Sequence, residues 1–121
     1  MQLDLRKFAD LNYCYLTTTG RVTGRPHTIE IWFALNEQTL YFLAGDGDKA
    51  DWVKNVKRRP DVTVRLQHTH FTGQARIVAE PQEDALARRI LVTKYTPRYS
   101  DDLTEWGRTA LPVAIDLSDR L

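Results

Sequence analysis

The apolar positions of LDLRKFADL, residues 3 to 11, fall at Leu3, Phe8 and Leu11, near helical spacing, and predict a short helix lying on the core. From Tyr13 the pattern becomes β-rich: YCYLTTT, then HTIEIWFAL after a glycine turn, then TLYFLA after Asn36-Glu37-Gln38. Short polar turns between these runs predict an antiparallel meander. In HTIEIWFAL, Ile29, Ile31, Phe33 and Leu35 alternate with Thr28, Glu30, Trp32 and Ala34, so a single strand is expected with Glu30 and Trp32 on its second face.

AGDGDKADWVKNVKRRP breaks the alternation. Gly45 and Gly47 predict a loop, Asp48 a helix cap, and Trp52, Val53 and Val56 one helical face, with Lys57, Arg58 and Arg59 complementing the helix C-terminus before Pro60 stops it. DVTVRLQ and HFTGQARIVAE then read as a hairpin. After Pro81, Glu83-Asp84 and Arg88-Arg89 bracket a helix running to about Tyr95, with Leu86, Ile90 and Leu91 inward. TPRYSDDLTEW predicts a loop with one helical turn, and ALPVAIDL a closing strand.

About six mostly antiparallel strands and two or three helices make the chain mainly β, of α+β type, a small barrel with helices plugging its open ends. A barrel this small has little interior, so a large ligand needs an outer groove or a dimer seam. The 121 residues are expected to form one domain, 1–121. Seventeen Lys and Arg against sixteen Asp and Glu leave a formal charge of +1, which points to no nucleic acid and no anionic membrane. One cysteine, Cys14, cannot make an intrachain disulfide and predicts a cytoplasmic protein. Charges in the first fifteen residues argue against a signal peptide, and no run is apolar for the length of a membrane span.

There is no serine elbow, Walker loop, cysteine pair or His-Glu-x-x-His. His68 and His70 lie on one side of a strand but lack a third ligand at recognisable spacing, so no metal is expected. Two glycine-marked basic loops say more. Gly20-Arg21-Val22-Thr23-Gly24-Arg25-Pro26-His27 offers backbone amides, Arg21, Arg25 and His27 to a phosphate. Gly45-Asp46-Gly47-Asp48-Lys49 leads into a helix N-terminus, where Lys49 opposes the dipole unless an anion binds. Together they suggest a two-loop anion clamp. Trp32, Trp52, Tyr95, Tyr99 and Trp106 are aromatic surfaces for a flat, conjugated ligand, and a flavin-like ring with a phosphate tail satisfies both features.

Thr18-Thr19-Gly20-Arg21, Gly24-Arg25-Pro26, Glu30-Ile31-Trp32-Phe33, Lys49-x-x-Trp52-x-x-Asn55, Pro60-Asp61-Val62-Thr63-Val64 and Lys94-Tyr95-x-Pro97-x-Tyr99 resemble, in order over roughly residues 13 to 116, the deazaflavin-dependent nitroreductase family. That family belongs to the flavin-reductase-like split β-barrels related to pyridoxamine phosphate oxidase. The resemblance implies a homodimer that passes a hydride from reduced coenzyme F-420 to a small electron-poor acceptor such as a quinone or nitroaromatic. It implies a cofactor-binding set of Thr18, Thr19, Gly20, Arg21, Thr23, Gly24, Arg25, His27, Trp32, Ala44, Gly45, Lys49, Trp52 and Asn55, with Tyr95 or Tyr99 as proton or hydrogen-bond donor. Val22 stands where the family usually has lysine, and Asp46 to Ala50 replace a longer basic loop. FMN is therefore the alternative cofactor, and a carrier without efficient turnover the alternative function.

Overall fold

A computed structural model describes residues 3–121. Seven strands form one sheet: β1 Cys14–Thr19, β2 Pro26–Ile31, β3 Ala34–Asn36, β4 Thr39–Ala44, β5 Asp61–Leu66, β6 Thr69–Ile77 and β7 Leu111–Arg120. Their order is β2-β1-β5-β6-β7-β4-β3, and each neighbouring pair is antiparallel. β2 and β3 are the two edges of the sheet, yet only Trp32 and Phe33 separate them in the chain. The sheet therefore curls until its edges approach, which is a split β-barrel. The strand expected over HTIEIWFAL is thus two strands, and the count is seven rather than about six.

What divides that run lies on a helix. α2, Pro81–Tyr95, ends in Tyr95, whose hydroxyl accepts the Phe33 N–H at 3.0 Å and donates to the Asn12 carbonyl at 2.6 Å. Lys94 Nζ donates to the Phe33 carbonyl at 2.9 Å and sits 3.9 Å from the Phe33 ring. Backbone groups of Phe33 that would otherwise join the sheet are satisfied by side chains, so the chain can leave one edge and start the other.

The alternating residues fill the barrel: Leu16, Phe42, Val64, Phe71 and Ile115 are buried inside it, and α1, Asp51–Arg58, closes one end with Val53 and Val56. Truncating either phenylalanine to alanine would cost on the order of 3–5 kcal/mol. A second apolar layer lies outside the barrel, where Ala87, Leu91 and Tyr95 of α2 and Leu103, just before α3 (Thr104–Thr109), pack on Tyr41, Leu43 and Ala114. α2 begins with Pro81 in its first turn, and the Glu80 carboxylate accepts from the Gln82 and Glu83 amides at 2.9 and 2.7 Å, capping it. Arg76 of β6 pins the same end to the sheet, donating to Glu83 at 2.6 and 2.7 Å and to Asp116 at 2.7 and 3.2 Å, while Tyr41 donates to Glu83 at 2.6 Å.

Two expected helix features differ. Residues 3–11 make only a 3-10 turn, Arg6–Phe8, because Leu5 and Phe8 reach the core from a single turn. Asp48 caps nothing: a 3-10 turn, Gly47–Lys49, precedes α1, and the Asp48 carboxylate faces Lys57 at 3.8 Å. Cys14 is buried, and burial pushes its thiol up to about 12. Among the described residues no helix is long and apolar enough to cross a membrane.

Candidate functional site

The β1–β2 turn and α1 enclose a groove of about 600 Å³. Gly24 has φ +76°, a left-handed conformation suited to glycine, and a Cβ on Gly20 would crowd the turn, coming 2.8 Å from His27 Nε2 and 3.1 Å from the Arg25 carbonyl. These glycines fold the turn back so that Arg21 meets α1. Asn55, 4% exposed, is the joint. Its Oδ1 accepts from the Arg21 backbone N–H at 3.2 Å and from Arg21 Nη1 at 2.9 Å, while its Nδ2 donates to Thr18 Oγ1 at 3.1 Å. Arg21 Nη2 also lies 3.2 Å from Asp51 Oδ1. The guanidinium is thereby held against the groove in one orientation, beside the flat Trp52 ring.

Several residues of the expected cofactor set come together here: Thr18, Gly20, Arg21, Thr23, His27, Trp52 and Asn55 line the groove. Thr19 lies next to them at the end of β1, Gly24 shapes the turn, and Arg25 is exposed beside it. The second loop is elsewhere. Ala44 is buried in the ladder opposite Leu111, Gly45 lies against Trp106, and neither Gly45 nor Lys49 lines the groove. A two-loop clamp is thus replaced by one loop and one helix. Lys49 stands in the 3-10 turn, directly before the α1 N-cap Ala50, and not in the first turn of the helix as expected. Nor is the turn an open nest of amides. The N–H groups of Gly20, Arg21, Gly24 and Arg25 are spent on Arg25 O, Asn55 Oδ1, Gly20 O and Thr23 Oγ1, which leaves those of Val22 and Thr23 without an acceptor among the described residues.

A second cavity, of about 460 Å³, opens where β2 ends. Glu30, Ile31 and Trp32 line it together with Leu43, Tyr99, Leu103 and Trp106. The Trp32 indole stacks on Tyr95 with centroids 4.2 Å apart and planes 3° from parallel, and meets Tyr99 and Trp106 edge-on at 5.1 and 5.7 Å. Tyr99 is 45% exposed. Tyr95 is 1% exposed and its hydroxyl is committed to Asn12 and Phe33, with burial pushing it up to about 12. Tyr95 therefore holds Trp32 and the chain crossing, and of the two tyrosines Tyr99 is the one exposed at the cavity. Burial and the neighbouring Arg98 lower Lys94 to about 8, but its amine serves the Phe33 carbonyl.

One contributor escapes the sequence reading and a second is only partly legible there. Asp51 enters the groove because it begins α1 one residue before Trp52, and nothing in its local pattern marks it as Arg21's partner. Trp106 was noted only as one aromatic among five, since its closeness to Trp32 comes from α3 packing on α2. Among the described residues no cluster of three acidic, histidine or cysteine side chains is arranged to hold a metal ion.

Set against known proteins, residues 5–118 match the family model described as F-420H(2)-dependent quinone reductase. Among solved structures, an F-420-H2 dependent reductase is 20% identical, with 89% of this chain and 95% of that one covered and a TM-score of 0.70. A Listeria innocua protein described as a pyridoxamine 5'-phosphate oxidase is 16% identical over 97% of this chain and 92% of its own, with a TM-score of 0.72. A domain-swapped dimer is 21% identical over 90% and 81%, with a TM-score of 0.70. At these identities the structures speak for the fold.

Proposed function

The chain belongs to the F-420H(2)-dependent quinone reductase family, and from that premise we propose that the groove beside Arg21 holds the cofactor and the cavity beside Trp32 the acceptor. It is an oxidoreductase, and coenzyme F-420 is its cofactor. The observation that carries the placement is their continuity along one strand: Thr28 and Ile29 line the groove, and the next two residues, Glu30 and Ile31, line the cavity.

The groove suits a flat ring with an anionic tail. Arg21, clamped by Asn55 and Asp51, offers a fixed charged donor, the free amides of Val22 and Thr23 sit at the turn tip, and Trp52 offers a ring face. When bound, coenzyme F-420 supplies a hydride. The protein's own contribution is position and dryness: Trp52, Ile29 and Trp32 exclude water, and rigid β2 fixes the distance between the two occupants. The acceptor is a small electron-poor molecule, of which quinones and nitroaromatics are examples. As it is reduced an oxyanion develops, and the Tyr99 hydroxyl donates a hydrogen bond or proton to it.

A homodimer is part of this proposal. β2 is an open edge whose first three residues are exposed, and a chain of the same fold forms a domain-swapped dimer. The single buried thiol of Cys14 favours a cytoplasmic setting.

Purified protein titrated with F-420 and with FMN, followed by tryptophan fluorescence, should show saturable quenching by F-420, since Trp52 lines the groove. Adding menadione to the reduced complex should then oxidise the cofactor, and Tyr99→Phe should slow that step on the order of tenfold. Saturation by FMN alone, or full activity in Tyr99→Phe, would refute the respective assignment.

A further inference from the structure

The aromatic cavity carries a charge pattern that neutral quinones do not explain. Among the residues lining it, Glu30 is the one acidic or basic side chain, and the rest are aromatic or aliphatic. The Tyr15 hydroxyl donates to Glu30 Oε1 at 3.1 Å, and Arg65 lies over the Tyr15 ring at 4.0 Å, yet among the described residues no cation pairs with the Glu30 carboxylate. The nearby basic residues of α2 and its following turn are engaged elsewhere: Lys94 on the Phe33 carbonyl, Arg98 on Asp10 and Asn12. Trp32 stands at 79° to Tyr99 and 90° to Trp106, so the walls offer ring faces in perpendicular directions. Ring faces are negative poles of the aromatic quadrupole, and buried Leu43 and Leu103 keep the floor apolar. A carboxylate at the mouth, ring faces around and an apolar floor describe a receptor for an organic cation.

We propose that this cavity prefers a cationic acceptor of the N-alkylated pyridinium class, held by Trp32, Tyr99 and Trp106 with Glu30 as counter-charge. The proposal rests on the reading that the cavity receives the acceptor, and it names the substrate class. Its chemistry balances without any protein acid. A hydride leaves the reduced cofactor, which is oxidised by two electrons, and forms a C–H bond on the ring carbon of the pyridinium, which becomes a neutral dihydropyridine. The acceptor takes up no proton, and the second hydrogen of the reduced cofactor leaves as a proton to solvent. Product loses the positive charge that Glu30 and the ring faces held, so turnover itself weakens binding and favours release.

The test is calorimetric titration of the whole protein with the ring-methylated nicotinamide cation and with its neutral counterpart methylated on the amide. The cation should bind roughly tenfold more tightly. Glu30→Gln, an exposed position, should shrink that preference to about threefold or less, and Trp106→Leu should weaken the cation while circular dichroism stays native. Equal affinity for the two compounds, or a preference untouched by both variants, overturns the proposal. If menadione binds and the cation does not, the cation preference alone is wrong. If neither nicotinamide compound nor menadione binds, the placement of the acceptor in this cavity falls first.

Discussion

The groove at Arg21 and the cavity at Trp32 share strand β2 but are built on opposite principles. In the groove, position is fixed by a chain of hydrogen bonds, Thr18 to Asn55 to Arg21, with Asp51 on the outer side. In the cavity it is fixed by ring stacking, with the Trp32 indole flat on Tyr95 and two further rings edge-on. Polar scaffolding aims a charge, because a guanidinium bonded on several sides keeps one orientation. Aromatic scaffolding makes a surface, tolerant of which flat molecule lies on it. One region is thus suited to a constant cofactor, the other to a range of acceptors.

The sharpest way to break this contrast is Asn55→Ala. It removes the buried joint and strands Thr18 and the Arg21 amide, so denaturation should show a loss of about 2–3 kcal/mol, with cofactor binding abolished. Next in size, Arg21→Ala should lower affinity for F-420 by about 10- to 100-fold in a fluorescence titration while leaving acceptor binding intact. On the aromatic side, Tyr95→Phe keeps the ring but loses the bonds to Phe33 and Asn12. It should cost about 1–2 kcal/mol, shift the Trp32 emission and raise the acceptor KM without altering cofactor affinity.

Acid should separate the two regions without mutation. Arg76 holds Glu83 and Asp116 below the usual carboxylate range through its hydrogen bonds. Depressed carboxylates stabilise the fold above their unfolded values, and that contribution is lost as pH falls through the folded ones. Below about pH 4 the start of α2 should loosen. Tryptophan emission from the cavity, which α2 supports, should change before hydrogen exchange reports opening of the Asn55 joint. The smallest effect is reserved for Val22, 87% exposed at the turn tip: Val22→Lys should tighten F-420 about two- to fivefold at low salt and by less at high salt.

How far the sequence could be read depends on where the deciding partner lies. The β-rich run of residues 39–44, the alternation in residues 61–66 and the bracketed helix ending at Tyr95 were legible because composition, burial and charge follow local patterns. Glu30 and Trp32 were legible as sharing a face, and Asn55 by resemblance. The break at Trp32–Phe33 was not, since the period of two runs unbroken from Ile29 to Leu35 and the cause is a hydroxyl 62 residues away. The same applies to the second loop, whose glycines and lysine suggested an anion site. Its position was settled by the 3-10 turn and by Trp106, neither of which leaves a mark in residues 45 to 49.

β7 lies between β6 and β4, and among the described residues it is the only strand joining β2-β1-β5-β6 to β4-β3. It is also last in chain order. During synthesis, therefore, the two groups of strands emerge with their inner faces unmatched, Val64 and Phe71 on one and Leu40 and Phe42 on the other. Neither can close the barrel until residues 111–120 have cleared the ribosome. The residues lining the groove at Arg21 all come from β1, β2, their turn and α1, which emerge before β7, whereas the cavity at Trp32 includes Leu43 of β4, a strand that among the described residues is joined to β2-β1-β5-β6 only through β7.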